Sequence, residues 1–238
     1  MMRPRPSAPA RGLRFEALDC GYGDTTVVRG VSGGIERGQV LGVLGRNGVG
    51  KSTLLKALGG VLAPAAGRVV WDGTDVTRLP LHRRRAHGIG YTPQDDIVFG
   101  ELSVAENLYL HLDSRDASRY ARLYEAFPLL AQRQTQRAGS LSGGERKLLS
   151  FARALALDTP LTLLDEPTEG VQPENVARMG RIIRERCANS ASFVVVEQHL
   201  DWVMSVADTL LILDHGEVVA SGPTAELQRA QVERHLVV

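Results

Sequence analysis

A glycine-rich stretch, GRNGVGKST at residues 45–53, has the residue types and spacing that hold a polyphosphate. It matches the pattern G-x-x-x-x-G-K-[ST] through Gly45, Gly50, Lys51 and Ser52. The glycines let successive backbone N–H groups turn inward, and the helix predicted to follow adds the positive end of its dipole. Lys51 would contact the β- and γ-phosphates, and the Ser52 hydroxyl would bind Mg²⁺. The stretch therefore predicts a nucleoside triphosphate site.

A pair of carboxylates follows a second apolar segment. Asp165 and Glu166 come directly after LTLL at residues 161–164. A strand there would place both carboxylates at its carboxyl end, beside the phosphate loop. We expect Asp165 to hold Mg²⁺ together with Ser52, and Glu166 to act as the base that polarises an attacking water.

A second glycine-rich turn, LSGGE, precedes another helical run. Its residues Ser142, Gly143, Gly144 and Glu145 would form an anion site at a helix N-terminus. One γ-phosphate does not need two such loops from a single chain. The turn therefore favours a nucleotide held by another copy or by a partner.

Alternating strands and helices must position these motifs. The nearly all-apolar strands predict an α/β fold with a mainly parallel sheet that is buried on both faces. Shorter strands before residue 40 predict an antiparallel β subdomain, with a strand at 13–18 and a turn at 19–24 that contains Tyr22. Arg83, Arg84 and Arg85 fall in a short helix, and the charge run predicts a solvated surface.

Residues 95–140 lack a strand pattern and predict an inserted helical subdomain. One helix is expected at 104–112, capped by Ser103 with Glu106 three positions later, and another at 118–127, ended by Pro128. Residues 1–12 predict a flexible tail, and residues 13–238 a single domain with this insertion.

Composition limits the class of protein. The 238 residues carry 28 basic and 27 acidic side chains, so the net charge of +1 does not favour nucleic acid as a partner. Two cysteines without a CxxC pair fit a reducing compartment and disfavour a zinc site. No apolar run approaches the roughly 18 residues of a membrane span. If the chain works at a membrane, we expect it to dock on a partner.

The motifs, in this order, resemble those of the ATP-binding subunits of ABC transporters from about Leu13 onward. The resemblance makes GRNGVGKST the Walker A motif, LTLLDEP the Walker B motif and LSGGE the signature, and it implies ATP and Mg²⁺ as ligands. It makes Gln94 of YTPQ the Q-loop sensor and a metal contact, Glu166 the hydrolytic base and Tyr22 the ring that stacks on adenine. The implied nucleotide contacts in the loop are Gly45, Arg46, Asn47, Gly48, Val49, Gly50, Lys51, Ser52 and Thr53.

The resemblance also implies partners. Two such subunits pair head to tail, so that each ATP lies between Walker A of one chain and LSGGE of the other. Membrane permease subunits would dock in the groove after Gln94, at the cytoplasmic face of the cell membrane. The segments EPTEGVQP and VVVEQHLD are similar to importers of branched-chain amino acids, urea and amides. There, two different ATP-binding subunits pair, and a solute-binding protein takes part indirectly.

Other members of the superfamily remain as alternatives. An ABC exporter or lipid-moving complex has nearly the same motifs. A soluble ABC ATPase of translation or DNA repair would need a tandem cassette or a long coiled-coil insertion, and 238 residues with one Walker A contain neither. A kinase or GTPase would not explain LSGGE.

The switch position departs from the family pattern. Counting ten residues back from Asp208 gives Gln198, whereas the expected histidine is represented by His199 one place later. A one-residue offset at a strand end points a side chain in another direction. The register favours Gln198 as the γ-phosphate contact, with His199 as the alternative if a local bulge brings it there.

Overall fold

Two β-sheets and a set of helices make up the computed structural model, which describes residues 11–95, 98–110 and 118–236. The strands are β1 (Gly12–Tyr22), β2 (Thr25–Glu36), β3 (Val40–Gly45), β4 (Ala66–Trp71), β5 (Thr74–Asp75), β6 (Ile89–Thr92), β7 (Leu161–Asp165), β8 (Ser192–Glu197), β9 (Thr209–Asp214) and β10 (Glu217–Pro223). The α-helices are α1 (Lys51–Gly59), α2 (Leu81–Ala86), α3 (Val104–Tyr109), α4 (Ser118–Ala126), α5 (Pro128–Gln132), α6 (Gly143–Ala156), α7 (Pro173–Ala188), α8 (Leu200–Val206) and α9 (Arg229–Leu236).

The larger sheet positions the predicted site. Its strand order is β10-β9-β3-β8-β7-β6, and all pairs are parallel except β10 with β9. Every residue of β3, β7 and β8 is buried, which confirms a parallel sheet covered on both faces. The register pairs Leu44 with Glu197 and Asp165 with Val196. The carboxyl ends of β3, β7 and β8 therefore meet at one edge, below the phosphate loop.

The smaller sheet is antiparallel, in the order β2-β1-β4-β5. The turn predicted at 19–24 is wrong, because β1 continues through Cys20 to Tyr22, which pairs with Thr25. Three register shifts between β1 and β2 accommodate the irregular stretch: between Phe15 and Leu18, between Leu18 and Cys20, and between Cys20 and Gly21. Pairing with β2 as far as Tyr22, and with β4 as far as Asp19, outweighs the weak strand propensity of aspartate and glycine. Only residues 23–24 form the tight turn between β1 and β2.

Alternate residues of β3 pack into two different hydrophobic clusters, one on each face of the sheet. Val40 and Leu44 pack into the cluster formed with α6, α7 and α8. Leu41 and Val43 face the other cluster, which contains α1 and the inner side of the antiparallel sheet. The loop after β3 is thus anchored from both faces of the sheet.

Helices α3, α4 and α5 lie between β6 and β7 in the chain. Ser103 and Glu106 form the predicted capping box at the start of α3. The predicted end of this helix at Leu112 falls outside the described residues. Helix α4 ends at Ala126, which confirms the predicted helix end before Pro128. Pro128 then begins the separate helix α5, where a missing N–H costs nothing. Among the described helices none is long and apolar enough to cross a membrane.

Arg84 corrects the expectation that the arginine run is solvated. Its side chain is 0% exposed, while Arg83 and Arg85 on the same helix are exposed. The guanidinium donates to the carbonyls of Ala57 and Leu58 at the end of α1, at 2.7 and 2.5 Å. A cation at the C-terminus of a helix satisfies carbonyls that have no partner within the helix. One arginine of the three is therefore part of the support of α1.

Candidate functional site

The phosphate loop joins β3 to α1 in a conformation that requires glycine. Gly48 has a φ of 79° and Gly50 a φ of 107°, both in the left-handed region. Gly50 is also the N-cap of α1. The first amides of a helix have no acceptor within it, so those of α1 are free to bind an anion.

Lys51 is held inside the curve of the loop. Its side chain is 4% exposed, and Nζ donates to the carbonyls of Gly45 at 2.8 Å and Arg46 at 3.0 Å. Nζ also lies 3.8 Å from Oε1 of Glu166. Burial lowers the pKa of Lys51, and the charges of Glu166 and Asp165 oppose that shift. The ammonium is thus enclosed by the phosphate loop, where it could contact a phosphate held by the loop amides.

Ser52 and Asp165 come together as the sequence predicts. The Ser52 hydroxyl donates to Oδ1 of Asp165 at 3.0 Å. Burial raises the pKa of Asp165, the Ser52 hydrogen bond opposes this, and the charge of Glu166 adds to it. An additional cation at this position would stabilise the carboxylate.

The charge balance around Lys51 fits a divalent cation. Asp165, Glu166 and Glu197 are all at most 5% exposed, and all three act electrostatically on the one ammonium. In the ranges that the structure covers, no three His, Cys, Asp or Glu residues cluster as a metal cage. The Ser52 hydroxyl beside the Asp165 carboxylate fits Mg²⁺, which is usually bound by one or two carboxylates together with substrate phosphates.

Glu166 occupies a strained position at the end of β7. Its φ of 46° is left-handed, which costs a non-glycine residue roughly 1–2 kcal/mol. The Glu166 amide donates to Val196 at 2.9 Å and holds that conformation in place. Its two carboxylate oxygens accept from Gln94 Nε2 at 2.7 Å and Gln198 Nε2 at 2.9 Å. The structure therefore brings the predicted sensor and switch positions onto the predicted base.

These groups surround a cavity of about 330 Å³. The described residues that line it are Val27, Asn47, Gly48, Gly50, Lys51, Ser52, Thr53, Gln94, Glu166, Glu169 and Gln198. His199 is not among them, because it is the exposed N-cap of α8. Of the two candidates for the switch position, the structure brings only Gln198 into the cavity.

Tyr22 lies outside that cavity. Its ring is 50% exposed at the end of β1. Lys56 on α1 places Nζ 5.8 Å from the ring centroid and 3.4 Å from the hydroxyl. The ring is accordingly near the helix that follows the phosphate loop, with half of its surface accessible.

The signature turn forms a separate feature at the start of α6. The Ser142 hydroxyl accepts from the Glu145 amide at 3.3 Å, and the Glu145 carboxylate accepts from the Ser142 amide at 2.8 Å. A methyl group added at Gly143 would meet no other described atom within 4 Å, whereas one at Gly144 would lie 2.1 Å from the Gly170 carbonyl. None of these residues lines the cavity of its own chain.

Sequence reasoning missed three charged residues of the site. Glu197 accepts from the amide and hydroxyl of Thr168, at 2.8 and 2.6 Å. Its position at the end of a buried parallel strand, like that of Asp165, was the signal. Glu169 lines the cavity and Lys147 reaches behind it. No sequence pattern marks the side chain of Lys147.

Comparison with known proteins places this geometry in a family. A family model described as ABC transporter matches residues 28–169, more than half of the chain. The lipopolysaccharide export system ATP-binding protein LptB of Escherichia coli K12 is 36% identical over 230 residues, which are 93% of this chain and 95% of that protein. A probable branched-chain amino acid transport ATP-binding protein LivF of Archaeoglobus fulgidus is 35% identical over 220 residues, at 90% and 93% coverage.

A solved structure of an ATP-binding cassette from an ABC transporter has the same fold. Its TM-score is 0.81 at 27% identity, over 96% of this chain and 99% of that one. The predicted α/β cassette is therefore confirmed. The chain belongs to the ATP-binding, ATP-hydrolysing subunits of ABC transporters.

Proposed function

We propose that this chain energises the import of a small polar solute: a branched-chain amino acid, urea or a related amide. The observation that best supports ATP hydrolysis is the position of the Glu166 carboxylate. It is buried at the cavity edge, accepts hydrogen bonds from Gln94 and Gln198, and lies 3.8 Å from the ammonium of Lys51. A base in that position can take the proton of a water that attacks the γ-phosphate.

Different residues of the loop bind different parts of the nucleotide and its metal ion. Arg46, Asn47 and the loop amides hold the phosphates, and Lys51 turns its ammonium from the loop carbonyls to the β- and γ-phosphates. Ser52 and Asp165 would hold Mg²⁺, with Gln94 as a further contact. A magnesium ion held there would supply positive charge that stabilises the transferred phosphoryl group.

The signature turn completes the site of a second ATP-binding subunit. ABC ATPases dimerise and act with membrane components. We propose that Ser142, Gly143, Gly144 and Glu145 hold the γ-phosphate in trans, and that the second subunit is a different chain or a second copy. Tyr22 then stacks on the adenine of its own chain's ATP. The accessible half of its ring supports this role.

The permease would dock beside the helical segment that follows Gln94, which we propose forms an inserted subdomain. Phe99 is 53% exposed there, and the guanidinium of Arg153 lies 5.4 Å from its ring. An exposed aromatic ring five residues after Gln94 suits a partner that senses closure of the dimer. Docking of this kind would hold the chain at the cytoplasmic face of the membrane, with the solute-binding protein on the opposite side.

The direction of transport is inferred from two short sequence segments and from the position of Gln198. The segments EGVQP and EQHLD, with Gln198 facing the cavity, support an importer. The similarity to LptB supports lipid export as the second candidate. The similarity to LivF is of the same size and therefore does not separate the two.

The ATPase assignment is tested by Glu166→Gln. An amide cannot accept the proton of water, so we expect ATP binding to persist while turnover falls by at least about a hundredfold. The ATP-bound variant should be trapped as a closed dimer, measured as mass in solution. Glu174→Gln, on an α7 side chain that is 73% exposed, is the matched control and should retain full activity. Wild-type turnover in Glu166→Gln would refute the role of the base.

The direction of transport, import or export, is tested in the assembled transporter. The genes beside this one should encode two permeases and a solute-binding protein. The complex that they form, reconstituted in vesicles, should take up labelled leucine or urea in an ATP-dependent manner. ATP-dependent extraction of lipid without solute uptake would favour the second candidate.

A further inference from the structure

Lys147 extends from the signature helix to the back of its own chain's cavity. It lies on α6, two residues after Glu145. Its Nζ donates to the main-chain carbonyls of Gln94 at 3.0 Å and Glu166 at 3.1 Å. The same ammonium is 3.5 Å from the carboxylate of Glu169, and the side chain is 12% exposed. One largely buried cation thus contacts three residues that line the cavity.

These contacts indicate that Lys147 positions the main chain of Gln94 and Glu166. A lysine ammonium has three N–H donors, and here two go to main-chain carbonyls while the third faces a carboxylate. These bonds fix the backbone of Gln94 and Glu166 and leave the two side chains free to bond each other. Lys147 itself is not one of the described residues that line the cavity. Its loss should therefore displace the base and the sensor more than it weakens nucleotide binding.

The same lysine is rigidly connected to the signature turn. Ser142 and Glu145 cap each other, and the Glu145 carboxylate is also 3.0 Å from the guanidinium of Arg133. Lys147 follows Ser142 by five residues, about 7.5 Å along a helix. The first turn of α6 and Lys147 therefore move as one unit.

We propose that Lys147 is a positioning residue that couples the signature turn to the base of the same chain. When the signature seats on the nucleotide of the partner, the displacement of α6 reaches the Gln94 and Glu166 backbones through this ammonium. Each chain would then align its own base only when its signature is engaged. This inference rests on the proposed function, since it requires the signature to act in trans.

The first test compares Lys147→Met with Lys147→Arg in the full-length chain within its transporter complex. We expect Lys147→Met to lower kcat about tenfold and to change the affinity for a non-hydrolysable ATP analogue less than about threefold. Lys147→Arg keeps the donors and should recover most of kcat. The control Arg137→Met removes a cation whose side chain is 75% exposed, in an ion pair with Glu101, and should behave as wild type.

The second test is a double-mutant cycle with Ser142→Ala. If Lys147 transmits the engagement of the signature, Ser142→Ala should lower kcat by a smaller factor in the Lys147→Met background than in the wild type. Equal factors in both backgrounds would overturn the coupling. Parallel losses of kcat, affinity and thermal stability, without recovery in Lys147→Arg, would show a structural role alone.

The proposed function and the positioning role of Lys147 can be refuted separately. If Glu166→Gln hydrolyses ATP normally, the proposed function fails. If Glu166→Gln is inactive while Lys147→Met turns over at the wild-type rate, only the positioning role is refuted.

Discussion

At the residue scale, the site is decided by where the residues that directly follow β7 and β8 point. Glu166 is turned into the cavity by a left-handed φ of 46°. Gln198 follows β8 directly and donates to Glu166, while His199 begins α8 on the outside. Neighbouring residues at a strand end point in different directions, so only one of the two can serve the base.

This geometry makes Gln198 the residue whose loss should affect catalysis. We expect Gln198→Ala to lower kcat by about tenfold or more, because a hydrogen bond that orients the base is removed. His199→Ala should remain within about twofold of the wild type, and steady-state ATPase rates measure both. The reverse ranking would restore His199 to the switch position.

At the element scale, the support of α1 depends on an internal cation. Arg84 bonds the carbonyls of Ala57, Leu58, Thr77 and Leu79. Burial lowers its pKa to about 10, so the guanidinium stays charged at neutral pH. The helix that presents Lys51 and Ser52 is thus fixed at its far end by a residue of α2.

Arg84→Met should accordingly destabilise the chain by about 3 kcal/mol or more, because several buried carbonyls lose their donors at once. Arg85→Met, at an exposed position of the same helix, should stay within about 0.5 kcal/mol of the wild type. Urea denaturation measures the free energy of unfolding for both. Equal stabilities would contradict the bracing role of Arg84.

At the scale of the whole molecule, the nucleotide cavity and the signature turn are separate features of the chain. The cavity gathers the phosphate loop, Glu166 and Gln94. The signature turn lies apart from that cavity, with open space over Gly143. A turn that lies away from the cavity of its own chain is consistent with the proposed assembly in pairs.

Substitution of the two signature glycines separates assembly from folding. Gly143→Ala adds a methyl group into open space, so the thermal stability of the isolated chain should be unchanged. If a nucleotide of the partner packs there, ATP-driven dimerisation and hydrolysis should fall by about tenfold or more.

Gly144→Ala serves as the contrast. Its methyl group would collide with the Gly170 carbonyl at 2.1 Å and should lower the melting temperature of the chain alone. Normal dimerisation of Gly143→Ala would contradict a signature that acts in trans.

The sequence by itself determined the features that depend on short-range chemistry. The phosphate loop, the capping boxes at Ser103 and Ser142 and the apolar parallel strands are each specified within a few residues. Once parallel strands are predicted, their carboxyl ends must share an edge, so Asp165 could be placed near Ser52.

Only the tertiary structure decided the features that depend on distant pairing. The burial of Arg84, the extension of β1 to Tyr22 and the reach of Lys147 to Glu166 each require contacts across the fold. The choice of Gln198 over His199 needed the direction of a side chain at the end of β8. Local spacing cannot supply that direction, because it is set by the helix and strands packed around it.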